Sequence, residues 1–223
     1  MAGAGRRGPG ATLRPVQTGG RFITLEGPEG AGKTLQAERL ADALRARGST
    51  VVLTREPGGT RLGEELRTVV LAREGGTAIE PRTDALLFNA ARAQLVGEVI
   101  NPALETGAIV VCARFADSTL AYQGYGAGVP LDELRVLAGI ATQGLVPDLT
   151  LLLDIDPAIG LARKADADRT RFEHDFDADF HARVRAGFLE LAKGEPSRFR
   201  VIDASRDVDA VFADVLEAVV ADA

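Results

Sequence analysis

From Arg21 onward, the chain alternates between short continuous apolar runs and longer segments in which apolar residues recur every three or four positions. Continuous runs predict strands covered on both faces, and the longer spacing predicts amphipathic helices. The predicted strands are 22–26, 51–55, 108–112, 148–155 and 198–204. The predicted helices are 33–47, 61–73, 83–105, 131–143, 180–193 and 207–221. Strands separated by helices indicate a parallel sheet with right-handed crossovers, and so a single α/β domain over 21–223.

The residues directly after each strand are the first candidates for a site, because ligands of open parallel sheets bind at the carboxyl ends of the strands. Those positions hold Gly27, Arg55, Arg114, Asp154 and Ala204. Arg114 is notable because it stands at the end of a strand that is otherwise apolar.

The segment "GPEGAGKT" matches the phosphate-binding pattern G-x-x-x-x-G-K-[ST], directly after a strand and at the start of a helix. Its glycines let backbone N–H groups point at a phosphate, Lys33 can reach the β- and γ-phosphates, and Thr34 can ligate Mg²⁺. We therefore predict that these residues bind the phosphates of a nucleotide: Gly27, Pro28, Glu29, Gly30, Ala31, Gly32, Lys33 and Thr34. A GTPase would also carry N-K-x-D, which the sequence lacks. The pattern alone leaves open a small-molecule phosphotransferase or a nucleotide-gated binding module.

Composition narrows the class of protein. A formal net charge of −6 disfavours broad nucleic-acid binding, which needs a basic face. No apolar run approaches the ~18 residues of a membrane span. Cys112 is the only cysteine, which predicts a core thiol and a reducing, cytoplasmic setting. We predict that residues 1–20, rich in glycine, form a disordered tail, and that His174 and His181 are exposed helix residues and not metal ligands.

Six segments in order resemble the bacterial type of the thymidylate kinase family. They are "FITLEGPEGAGKT" (22–34), "TREPGGT" (54–60), "GEELR" (63–67), "LLFNAARAQ" (86–94), "ARFADSTLAYQGYG" (113–126) and "PDLTLLLD" (147–154). The resemblance implies a P-loop NTPase fold, with a five-stranded parallel sheet flanked by helices on both faces and a small lid. It implies transfer of the γ-phosphoryl group of ATP to dTMP with Mg²⁺, which gives dTDP for dTTP biosynthesis. It also implies a cytoplasmic homodimer that acts on small molecules, with no nucleic-acid or membrane partner.

The resemblance assigns a set of residues to the thymine base. Phe88 would stack on the ring and Arg92 would bind its carbonyl edge, and their i, i+4 spacing places both on one helix face. Thr119 and Gln123 would complete the base contacts, and Pro57 would lie near the thymine methyl group.

It assigns a second set to the sugar and the acceptor phosphate. Tyr122 would lie against the sugar and disfavour a 2′-hydroxyl, and Glu29 would lie near the 3′-hydroxyl. Arg67 and Arg114 would hold the dTMP phosphate, for which the planar guanidinium is suited. Both arginines disfavour a deoxynucleoside kinase, whose acceptor carries no phosphate.

The resemblance also implies a lid at about 162–176. Within this lid Arg171 would close over the ATP phosphates, with Arg163 and Arg169 as neighbours, and Glu173 would be a ligand in the Mg²⁺ shell. Lys33, Arg114 and Arg171 are thus the predicted catalytic cations.

The sequence departs from the family pattern at Ala113, where an aspartate is expected before Arg114. Three explanations stay open: another acid (Glu29, Asp154 or Glu173) compensates, the chain is an impaired variant, or it binds nucleotides with little turnover. We expect a slower but active kinase, because the cationic and base-reading residues remain.

Overall fold

The computed structural model describes residues 20–72, 79–163, 170–174 and 176–222. The predicted disordered tail at 1–20 lies outside these residues except for Gly20, and so does the part of the predicted lid at 164–169.

The sheet has five parallel strands in the order β2-β3-β1-β4-β5. The strands are β1 (Arg21–Glu26), β2 (Val51–Arg55), β3 (Ile109–Ala113), β4 (Leu149–Asp154) and β5 (Phe199–Asp203). The predicted parallel α/β sheet is confirmed, and each predicted strand overlaps an observed one. Because β1 and β3 are neighbours, with Leu25 opposite Ala113, the phosphate-binding loop and Arg114 leave adjacent strand ends.

The described helices surround this sheet. They are α1 (Lys33–Ala46), α2 (Arg61–Val70), α3 (Pro81–Leu95), α4 (Asn101–Glu105), α5 (Ala116–Thr119), α6 (Leu131–Thr142), α7 (Pro157–Ala162), α8 (Arg171–His174), α9 (Ala178–Gly194) and α10 (Val208–Ala221). Two π-helical segments, Val96–Ile100 and Leu120–Gly126, continue α3 and α5.

Both faces of the sheet are covered, which explains the continuous apolar runs. Ile23 and Leu25 of β1 pack in one cluster with residues of α1 and α10. Phe22, on the opposite face, packs with Leu95 and Ile100. Successive side chains of a strand point to opposite faces, so both sets must be apolar when helices lie on both sides.

Two sequence-based expectations were incomplete or wrong. The helical stretch 116–126 was not predicted, because its residues are buried with little apolar periodicity and include Gly124 and Gly126. His181 is only 3% exposed, so the prediction that it is a surface residue was wrong. It lies three and seven positions before Val184 and Phe188, on the inner face of α9, which packs against the second π-helical segment.

Candidate active site

A cavity of about 610 Å³ opens at the carboxyl ends of β1, β2 and β3. Its described lining is Glu29, Gly30, Gly32, Lys33, Thr34, Leu35, Arg55, Glu56, Pro57, Arg67, Leu71, Phe88, Arg92, Ala113, Arg114, Ser118, Thr119, Tyr122, Gln123, Arg163, Thr170 and Phe172. The cavity therefore brings together most of the predicted nucleotide-binding residues, from segments far apart in the chain. Gly27, Pro28 and Ala31 are buried beside it as part of the loop wall.

The phosphate-binding loop is shaped by glycines with positive φ. Gly30 has φ 71° and Gly32 has φ 86°, which disfavours side chains at these positions. A Cβ on Gly30 would lie 1.9 Å from the carbonyl oxygen of Gly160 in α7. Lys33 is buried at the start of α1, and its Nζ donates to the carbonyl oxygens of Gly27 at 2.9 Å and Pro28 at 2.6 Å. The backbone of the loop therefore packs directly against the backbone of α7, and the side chain of Lys33 hydrogen-bonds across the loop.

Arg114 lies beside the loop in an uncommon conformation. Its φ of 72° lies in the left-handed region, which is costly for a residue with a side chain and is often found at functional sites. Its Nη2 lies 2.5 Å from Glu29 Oε1 and 3.2 Å from the Tyr122 hydroxyl, which itself donates to Glu29 at 2.9 Å. Burial alone would lower the pKa of Arg114, but Glu29 and Tyr122 raise the pKa above its usual value. Arg114 is therefore a fixed positive charge at the cavity wall.

Arg67 of α2 provides a second cation on the same side. Its Nη1 donates to the carbonyl oxygen of Pro57 at 2.8 Å. Burial, followed by the charge of Arg55, lowers the pKa of Arg67. The neighbouring arginines repel one another, and an anion placed between them would relieve that repulsion.

Arg92 is held deep in the cavity wall by an ion pair. It is 1% exposed, and its Nη2 lies 2.7 Å from Oε2 of Glu56, which is also buried. Further donors reach Asn89 Oδ1 at 2.7 Å and the carbonyl oxygen of Phe115 at 3.1 Å. Among the described residues one Nη1 N–H has no acceptor, so Arg92 can still donate to a ligand. Burial raises the pKa of Glu56, and Arg92 opposes that shift.

The other predicted base-binding residues lie close by. Phe88 faces Phe172 with ring centroids 6.2 Å apart, and Thr119 and Gln123 line the same end of the cavity. Gln123 Nε2 donates to Asp84 Oδ2 at 2.8 Å. A carboxylate can only accept here, so this contact fixes which end of the amide is the nitrogen.

The predicted lid residues are placed differently. Arg163 lines the cavity, although its guanidinium donates to the carbonyl oxygens of Ala204 and Ser205. Arg171 does not line it: its guanidinium is buried against the carbonyl oxygen of Val70 and the carboxylate of Asp84. A role of Arg171 over the ATP phosphates, which stays a prediction, would require this side chain to move. The predicted position Arg169 and the Glu173 side chain lie outside the described part of the chain.

At Ala113 the β3 end presents only a methyl group to the cavity. Of the acids proposed to compensate, Glu29 contacts Arg114 directly, whereas both oxygens of Asp154 bind Arg185 at 2.7 and 2.8 Å. Sequence reasoning did not select Glu56, although it follows β2 directly and the rule for strand ends would have found it. Ser118 was visible as a hydroxyl next to Thr119 but was given no role, and Phe172 carried no comparable signal.

The charge of the cavity favours phosphorylated ligands. Among the described lining residues, six cations face two carboxylates; the cations are Lys33, Arg55, Arg67, Arg92, Arg114 and Arg163. Low-dielectric walls strengthen the field of such a cation excess.

No group of three or more histidines, cysteines and acids that could hold a metal occurs among the described residues. The exposed Thr34 hydroxyl at the start of α1 is one candidate metal ligand. None of the helices in the described ranges is both long and apolar enough to cross a membrane.

Comparisons with known proteins show the family of this chain. The family model of thymidylate kinase matches residues 25–215. The chain is 54% identical over 200 residues to the thymidylate kinase of Deinococcus radiodurans, covering 90% of this chain and 96% of that protein. It is 50% identical over 198 residues to that of Bifidobacterium longum, covering 88% and 95%. The crystal structure of thymidylate kinase from Ehrlichia chaffeensis superposes with a TM-score of 0.73 at 33% identity and covers 90% of this chain and 99% of that one. The chain therefore belongs to the thymidylate kinase family, whose members are nucleoside monophosphate kinases.

Proposed function

We propose that this protein transfers the γ-phosphoryl group of ATP to dTMP, with Mg²⁺, and forms dTDP. The observation that carries the proposal is the position of two phosphate-binding elements on one cavity. Lys33 of the loop lines this cavity, and so do Arg67 and Arg114. Two phosphorylated substrates can therefore meet between them.

The ATP side is supported by the loop geometry. Lys33 would release its two carbonyl oxygens and bind the β- and γ-phosphates, and backbone N–H groups of the glycine-rich turn would bind the remaining oxygens. The donor set fits Mg²⁺, which commonly takes one or two protein ligands and completes its shell with phosphate and water. Thr34 would supply a hydroxyl and Glu173 is a further candidate. When bound, the ion neutralises charge on the phosphates.

The dTMP side is supported by the charges and side chains of the rest of the cavity lining. Arg67 and Arg114 would bind the acceptor phosphate, and Pro57, Phe88, Arg92, Thr119 and Gln123 would enclose the base. Glu29 and the buried Tyr122 would face the deoxyribose, where the Tyr122 ring would disfavour a 2′-hydroxyl.

In this arrangement catalysis is positioning and charge neutralisation. The dTMP phosphate oxygen is already a nucleophile, so no covalent intermediate or general base is needed. Lys33 and Arg114 would stabilise the charge that develops on the transferring group. Arg171 would add a third positive charge if the lid closes.

The test is the initial rate of ADP formation with ATP, Mg²⁺ and one acceptor at a time: dTMP, dUMP, the ribonucleotide of thymine, or thymidine. We expect turnover mainly with dTMP and none with thymidine.

Ala113 favours a second candidate, a nucleotide-binding protein with little turnover. Tight binding of ATP and dTMP without ADP release would support that candidate and contradict the first.

We further propose a homodimer. Exposed apolar side chains gather on α2, α3 and α6, and α3 packs against both of the other helices. These side chains are Leu62, Val69, Leu86, Val136 and Ile140. A second copy of the chain would remove this surface from water. The cytoplasmic location also stays a prediction.

A further inference from the structure

Besides Glu29 and Tyr122, the guanidinium of Arg114 contacts the carbonyl oxygen of Gly27 at 3.4 Å and the hydroxyl of Ser118. Arg114 Nη1 lies 3.2 Å from Oγ of Ser118, which lies in α5. Ser118 lines the cavity, so this contact is made where the acceptor phosphate would bind.

Ser118 is in turn held by a buried acid. Glu26, the last residue of β1, is 0% exposed, and its Oε2 lies 2.6 Å from Ser118 Oγ. Its Oε1 accepts from the backbone N–H of Phe115 at 2.7 Å. An ionised carboxylate only accepts, so the single hydroxyl proton of Ser118 points to Glu26 and a lone pair faces Arg114. The ionised acid therefore fixes the hydroxyl in the orientation that binds the guanidinium.

Position 113 makes this contact more important. The Ala113 side chain ends at Cβ, so β3 presents no carboxylate of its own beside Arg114. Glu26 leaves the adjacent strand one residue beyond the pair formed by Leu25 and Ala113.

We propose that Glu26 and Ser118 form a buried relay that orients the Arg114 guanidinium for phosphoryl transfer, with Glu26 as a positioning residue. The proposal rests on the function proposed above for Arg114. Ionised Glu26 keeps the relay in place, and protonated Glu26 can donate to Ser118 and turn its hydroxyl away.

Glu26 is suited to respond to pH near neutrality. Burial, followed by the charge of Asp117, raises the pKa of Glu26 to about 7, although Ser118, Arg114 and the Phe115 N–H oppose the shift. Asp117 is itself paired with Arg198 at 2.8 Å. The titratable and charged groups that face Glu26 from the surrounding elements are Cys112, Arg114 and Asp117. The relay should therefore be formed above neutral pH and lost as pH falls through about 7.

The decisive variants are Ser118→Ala, which removes the relay, and Ser118→Thr, which keeps the hydroxyl. A hydrogen bond to a charged group is worth roughly 10- to 100-fold in rate. We expect Ser118→Ala to lower kcat by about tenfold or more, with little change in KM for ATP. We also expect it to flatten the acidic limb of the kcat profile near pH 7, as should Glu26→Gln. Ser118→Thr should recover most of kcat, and exposed Ser197→Ala serves as the control. Wild-type kcat in Ser118→Ala, an unchanged acidic limb, or no recovery by Ser118→Thr would overturn the relay.

A second readout does not depend on turnover. The Nε–H NMR signal of Arg114, assigned with Arg114→Lys, should shift between pH 6 and 8 in the wild-type protein and should shift much less in Ser118→Ala, where only the charge of Glu26 still acts on it. A shift that is equal in both proteins contradicts the relay even when dTMP kinase activity is present. A shift that is much larger in the wild-type protein supports the relay even if dTMP is not turned over, in which case only the proposed function fails.

Discussion

The ion pair between Glu56 and Arg92 allows a quantitative test of how the base end of the cavity is held. Both side chains are almost fully buried, with 4% and 1% of their surface exposed. Replacing Glu56 by leucine keeps a similar volume but leaves the Arg92 charge without its partner. Breaking a buried pair in this way typically costs about 3–5 kcal/mol. Asn89 and the Phe115 carbonyl oxygen still accept from Arg92, so we expect about 3 kcal/mol, the lower end.

The assay is equilibrium unfolding in urea. The chain has no tryptophan, so far-UV circular dichroism is the suitable signal. Glu65→Leu is the matched control, because it removes the exposed i, i+4 pair with Arg61, in which the side chains are 64% and 95% exposed. Such a pair contributes about 0–1 kcal/mol.

The double variant Glu56→Leu/Arg92→Met separates charge from packing. It removes both charges, and we expect it to recover most of the loss in the free energy of unfolding. It should also raise KM for dTMP, because Arg92 lines the cavity. A loss for Glu56→Leu no larger than that of Glu65→Leu, or no recovery in the double variant, would refute the reasoning.

Three further changes test the site and the surface. Ala113→Asp adds a carboxylate beside Arg114, so it should raise kcat by about tenfold or more and change KM for dTMP less. Steady-state kinetics that show no gain in kcat would contradict the role expected for this carboxylate. Gly30→Ala should weaken ATP binding at least about tenfold in calorimetry, because its Cβ would lie 1.9 Å from the Gly160 carbonyl oxygen. Gly139→Ala is the control and should leave ATP binding unchanged, because its Cβ would have no atom within 4 Å. Ile140→Glu should convert the proposed dimer to a monomer in analytical ultracentrifugation, while Ile159→Glu, an exposed site on α7, should not. Equal sedimentation of both variants would locate the interface elsewhere.

The sequence by itself determined the order of the elements and one wall of the site. Strands buried on both faces need mostly apolar residues, so β1, β3 and β4 are visible as nearly continuous apolar runs. The loop at 27–34 is equally visible, because backbone that wraps a phosphate needs glycine at fixed positions, and Gly30 indeed has positive φ. Arg114 was also predictable, because it directly follows β3 and ligands of parallel sheets bind at the carboxyl ends of the strands.

The segment 116–126 shows where local pattern failed. Its helical conformation is set by burial against α9 and α6 and not by a polar face, so apolar periodicity carried no signal. His181 was misassigned for a related reason, because only the position of α9 against that segment shows which of its faces is inside.

Only the tertiary structure decided which charged residues meet. Arg92 pairs with Glu56 and Arg171 with Asp84, although 36 and 87 residues separate the partners. Glu26 looked like an ordinary strand end, and its contact with Ser118 is visible only once β1 and β3 lie side by side. Periodicity reports how each segment meets the core, whereas the partner of a buried charge depends on chain segments that folding brings together.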